Sequence, residues 1–103
     1  MNSFGDIQKM VKQAQEMQER LQREMALMRV EGSSGGGMVA VTMDGHKNIL
    51  GLKLDPEVVN KDDIGMLQDL IVAAFSDAAA KVDGELSQKL GGLGAGLKLP
   101  GMG

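Results

Sequence analysis

The chain is expected to be an α+β protein of α-β-β-β-α order, a three-stranded antiparallel meander flanked by two long helices. Three patterns predict it. Residues 38–54, MVAVTMDGHKNILGLKL, hold two runs alternating around a polar turn, as strands with one buried face do. Before them Ile7, Met10, Ala14, Met17, Leu21, Met25 and Met28 recur at spacings of three and four. After them, Ile64 to Leu90 repeats that helical spacing.

The first helix is expected from Asp6 to Met28. No glycine or proline interrupts it, and Val11 is its only β-branched residue after Ile7, so propensity agrees with periodicity. Ser3 or Asp6 supplies an N-cap, while Val30 and Gly32 mark the change to extended chain. Glu16 with Arg20 and Glu19 with Arg23 are acid-before-base pairs at i, i+4, each worth about 0.3 kcal/mol. They indicate a solvated face.

Residues 28–34 supply a first strand with Met28, Val30 and Gly32 on one side. The following Ser33-Ser34-Gly35-Gly36-Gly37 stretch is taken as a flexible connector. As a phosphate cradle it lacks the Gly-Lys-Ser/Thr ending of a P-loop and leads into a strand. In the hairpin, pairing Val41 with Leu50 and Val39 with Leu52 keeps the apolar faces together and leaves Asp44-Gly45-His46-Lys47 as a four-residue loop. A two-residue Asp44-Gly45 turn would set Val41 against Asn48.

Asp55-Pro56-Glu57 predicts one helical turn, an N-cap followed by proline. The second long helix starts near Asp62 or Asp63, carries Ile64, Leu67, Ile71, Ala74, Phe75, Ala78, Val82, Leu86 and Leu90, and ends at Gly91-Gly92. Met66, Leu70 and Val72 lie off that stripe. One sheet face cannot cover so much apolar surface, so a partner subunit and an exposed sheet edge are expected. Residues 1–90 form one domain, and 91–103, GGLGAGLKLPGMG, a mobile Gly-rich tail.

Composition narrows the function. With 103 residues, Phe4 and Phe75 as its only aromatics and nine methionines, the core is thin for a monomer. The lack of cysteine excludes disulfides and thiolate chemistry. The longest apolar run, Leu70–Phe75, is six residues, too short for a signal peptide or membrane span, so a soluble cytoplasmic protein is expected, with no membrane partner. His46 lies in a turn, Asp62, Asp63 and Asp69 lack EF-hand spacing, and no nucleophile–base–orienter set can be composed. No enzyme activity, cofactor or metal is expected.

The net charge of −3 argues against a generally basic nucleic-acid binder, but the charges are unevenly placed. If the long helices pack antiparallel, residues 1–15 lie beside 78–103. Each of these segments is net +1, whereas residues 16–77 carry 6 bases and 11 acids. The arm ends are therefore mildly positive, a polarity that directs them toward a polyanion.

Four stretches in order, MVKQAQEMQERLQREMA, VEGSSGGGMVAVTMDG, LDPEVV and LQDLIVAAFSDAAAKV, resemble the YbaB/EbfC family of bacterial nucleoid-associated proteins, from about Phe4 to Leu90. The resemblance implies a tweezer-like homodimer joined through its sheets, with projecting helical arms, acting on double-stranded DNA in the nucleoid. Helices of about 22 and 29 residues are ~33 and ~43 Å long, enough to straddle a duplex. Charge polarity applied to this geometry selects Lys9, Lys12, Gln13, Lys81, Gln88 and Lys89 as DNA contacts. With so few bases, affinity is expected to be modest and salt-dependent, and any sequence preference to come from DNA shape or a few Gln and Lys contacts. The other class open to such a dimer is an adaptor whose arms grip a protein partner.

Overall fold

The structure, a computed structural model, describes residues 3–93. Helix α1 spans Ser3–Leu27, strands β1, β2 and β3 span Val30–Ser34, Val39–Met43 and Ile49–Leu54, and helix α2 spans Ile64–Leu93. The strands form one antiparallel sheet in the order β1-β2-β3, which is the α-β-β-β-α meander expected. The predicted turn after Leu54 is a 3-10 turn at Pro56–Val58, whose Asp55 carboxylate accepts from the Glu57 N–H. Asp63 caps α2 by accepting from the Met66 N–H. α2 continues through Gly91 and Gly92 to Leu93, since a glycine weakens a helix by about 1 kcal/mol without ending it. The rest of the expected tail, 94–103, lies outside the described residues.

α2 lies across β1 and β2 in a two-layer arrangement. Met28, Val30, Val39, Val41, Met43, Val58, Ala74, Ala78 and Val82 are buried there, each Val or Met contributing about 1.5–3 kcal/mol. The small side chains of Ala74 and Ala78 let the helix sit directly on Gly32. A Cβ built on Gly32 would fall 2.2 Å from the Ala78 backbone nitrogen and 2.5 Å from the Ala74 carbonyl oxygen. The Ser33 N–H donates to Asp77 Oδ2 at 3.0 Å, Lys81 Nζ donates to the Glu31 carbonyl at 2.9 Å, and Ser34 Oγ donates to the Leu70 carbonyl. The Asp77 and Lys81 side chains satisfy the outer edge of β1.

The hairpin corrects two expectations. Val41 pairs with Leu52 and Val39 with Leu54, two residues from the predicted register, and the ladder is interrupted between Thr42 and Met43 so that Met43 pairs with Ile49. The longer loop is held by Asp44, whose carboxylate accepts from the N–H groups of His46 and Asn48 and from Asn48 Nδ2 at 2.9–3.0 Å. Lys47 turns the chain at φ 66°. Because the shift is by two, the side chains keep their faces. The second correction is burial: Leu50, Leu52 and Leu54 stay 48, 47 and 36% exposed, because α2 covers β1 and β2 but does not extend over β3.

The Asn48 side-chain and backbone hydrogen bonds hold the Asp44 carboxyl below its ordinary value of 3.8, aided by the His46 N–H and opposed by burial. Asp77 is held low in the same direction by the Ser33 N–H and by Lys81. The folded protein therefore binds fewer protons than the unfolded chain below about pH 4, so this stabilisation is complete above that pH and is lost as pH falls through the folded values. Thermal melts are expected to drop as pH falls below about 4, and less steeply in Asp44→Asn.

No residue of α1 is buried, and α1 and α2 do not form the close antiparallel pair expected from the sequence. Among the described residues, the hydrogen bond that ties α1 to the β2–β3 loop lies at its last turn. There the Gly45 N–H donates to the Met25 carbonyl at 2.8 Å, and Arg29 Nη1 donates to the carbonyls of Ala26 and Met28 at 2.9 and 2.8 Å. A Cβ on Gly45 would lie 2.7 Å from Met25 Cα. Gly45→Ala is expected to push α1 off the loop and cost about 1–3 kcal/mol, seen as an earlier urea midpoint. The protomer is correspondingly elongated, 74 × 30 × 16 Å.

Candidate nucleic-acid interface

α1 presents two opposite stripes to solvent. At 100° per residue, Lys9, Lys12, Arg20 and Arg23 fall within about 80° of its circumference, with Gln13 beside them. All five are exposed. The apolar residues Ile7, Met10, Ala14, Met17 and Leu21 occupy the other side. Glu16 and Glu19 share the basic stripe, so its N-terminal end is the more positive part.

Among the described residues the ion pairs are Lys47–Asp83 at 2.9 Å and Lys81–Asp77 at 3.2 Å. The expected Glu16–Arg20 and Glu19–Arg23 pairs do not close. Arg20 and Arg23 are thus members of the basic face, although their neighbouring glutamates suggest an internally paired, solvated surface. The signal was available in their spacing of eleven from Lys9 and Lys12, which is close to three helical turns.

The six residues selected from sequence do not converge on one patch. Lys9, Lys12 and Gln13 lie together on the first half of α1. Lys89 faces the middle of α1 across a groove of about 700 Å³, lined also by Ala14, Met17, Leu21 and Leu90. Gln88 and Lys81 border a shallower cleft with Arg29, Glu31 and Glu85. Lys81 is already engaged, its ammonium lying between Asp77 and the Glu31 carbonyl, which lowers its availability to phosphate.

The second exposed feature is the β3 side of the sheet. Ile49, Leu50, Leu52 and Leu54 on the strand, and Met66, Val72 and Phe75 on α2, are exposed. The outer edge of β1 is satisfied by α2 side chains, whereas no side chain among the described residues bonds the outer edge of β3. An open edge beside apolar surface is a ready site for strand or face pairing. Among the described residues no helix is long and apolar enough to cross a membrane.

A thin two-layer core, a projecting charged helix and an uncovered sheet edge define the class of protein, a small α+β domain with an exposed helical arm. Comparison with known proteins agrees: the chain belongs to the YbaB/EbfC DNA-binding family, whose model matches residues 2–97. It is 47% identical over 92 residues to a nucleoid-associated protein of Syntrophobacter fumaroxidans, covering 89% of this chain and 84% of that one. It is 48% identical over 95 residues to one from Roseiflexus sp. RS-1, covering 92% and 94%. A crystal structure of an uncharacterized Helicobacter pylori protein has the same fold, with TM-score 0.75, 19% identity, and coverage of 90% of this chain and 97% of that one. This is a nucleoid-associated DNA-binding family rather than an enzyme family.

Proposed function

We propose that the protein is a nucleoid-associated homodimer that grips the backbone of double-stranded DNA with the basic face of α1, acting in chromosome organisation and gene regulation. The observation that carries the reading is that α1 buries none of its residues yet collects Lys9, Lys12, Gln13, Arg20 and Arg23 along one side. Gln88 and Lys89 add donors from α2, and Lys81 is a weaker contributor because of its own ion pair. Phosphate contacts from such a stripe position the protein without reading bases. The names of the relatives, nucleoid-associated proteins, support a place on the cytoplasmic nucleoid.

The homodimer is supported by the uncovered edge and apolar face of β3. A second copy placed there would cover Leu50, Leu52, Leu54 and Phe75 and leave both α1 arms projecting. Titration of a labelled duplex by anisotropy tests the DNA reading: binding is expected at low salt and to weaken steeply toward physiological salt. Binding that is absent at both, or insensitive to salt, contradicts it.

A further inference from the structure

We propose that α1 is also a self-association surface, on which the α1 helices of two copies pair antiparallel. In this pairing Phe4 and Ile7 of one copy enter the groove beside Met17 and Leu21 of the other. Ile7, Ala14 and Leu21 take the a positions of a heptad, and Met10 and Met17 the d positions, a pattern that seals against another helix. Nothing among the described residues seals it: Phe4, Ile7, Met10 and Met17 are 76, 57, 68 and 57% exposed. Among the described residues α2 lines this stripe with Lys89 and Leu90, beside the groove of about 700 Å³.

Charge selects the occupant and its direction. In the antiparallel register that sets Ile7 against Met17 and Met10 against Ala14, the flanking g positions place Asp6 of each copy beside Arg20 of the other, with Gln13 meeting Gln13 between them. Arg20 itself lines the groove. A parallel register would place Asp6 near Val11 and Arg20 near Met25, with no charge matched. Lys9, Lys12 and Arg23 stay on the far side of the helix, free for DNA. The arm contact uses a surface separate from the β3 edge, so the two contacts together join sheet-linked dimers tip to tip and bring two DNA segments together.

Sedimentation equilibrium of the full chain without DNA, over a range of concentrations, tests the contact. The wild type is expected to exceed the dimer mass as concentration rises. Leu52→Asp, which disrupts the sheet contact, is expected to stop at an arm-linked dimer. Ile7→Asp should remove the arm contact without changing the melting temperature, because Ile7 is exposed. Arg20→Asp is expected to weaken the arm step about tenfold by setting like charges together at two symmetric places, and adding Asp6→Arg to it restores the step. A Leu52→Asp protein that is monomeric throughout, an Arg20→Asp protein that assembles like the wild type, or a double variant that does not recover overturns the proposal. Failure of the sheet contact alone has a different signature, with Leu52→Asp matching the wild type.

Discussion

Gly32→Ala is expected to destabilise the protein by upwards of about 3 kcal/mol, the larger end of what overpacking costs. The added methyl would meet backbone, with the Ala78 nitrogen 2.2 Å and the Ala74 oxygen 2.5 Å away, so no rotamer change relieves it and α2 must lift from β1. Lifting α2 also stretches the Ser33–Asp77 and Lys81–Glu31 hydrogen bonds that close the outer edge of β1. Small domains have stabilities of about 5–15 kcal/mol, so a large fraction is lost. Urea unfolding checks it: the midpoint should fall with little change in slope. Gly84→Ala is the control. It adds a methyl where nothing lies within 4 Å, in the interior of α2, and is expected to be neutral or to stabilise by about 0.5–1 kcal/mol. Equal stability of Gly32→Ala and the wild type would mean that α2 is not seated on Gly32.

Reversing Lys9, Lys12 and Arg23 together to Glu is expected to lower duplex affinity by about a hundredfold or more at low salt. The slope of log affinity against log salt should flatten by about 0.9 for each phosphate that is no longer neutralised. These side chains are exposed, so the melting temperature should hold, substitutions of that kind staying within about 0.5 kcal/mol each. Arg20 is left in place because the arm contact uses it. Reversing Lys53 and Lys61 at the sheet end changes net charge in the same direction and is expected to leave most of the affinity. Equal losses in both variants would show that total charge, rather than the α1 face, governs binding.

Much of this architecture is legible in the chain because its periodicities are clean. The three- and four-residue spacing from Ile7 to Met28 places α1, and Asp55-Pro56 and Asp63 announce turns and caps that depend only on near neighbours. The β2–β3 register escapes because it is decided by the Asp44 carboxylate gathering three hydrogen bonds, and two registers a pair of residues apart keep the same faces apolar. Burial of β3 escapes for another reason: alternation says which side of a strand is apolar but not whether a helix reaches over it. The candidate interface is legible in part. Lys9, Lys12 and Gln13 share a face, whereas grouping them with Lys81 and Gln88 assumed a close α1–α2 pair that the fold does not make. Arg20 and Arg23 were hidden by adjacent glutamates that suggest ion pairs, and the geometry leaves those pairs open.

Lysine footprinting with and without duplex DNA tests the central claim most directly. Reductive methylation at low salt, read by mass spectrometry, should show Lys9 and Lys12 protected by DNA, with Lys53 and Lys61 as reactive as in the free protein. Protection of Lys53 and Lys61 with Lys9 and Lys12 left reactive would place DNA at the sheet end and contradict the assignment of α1 as the gripping surface.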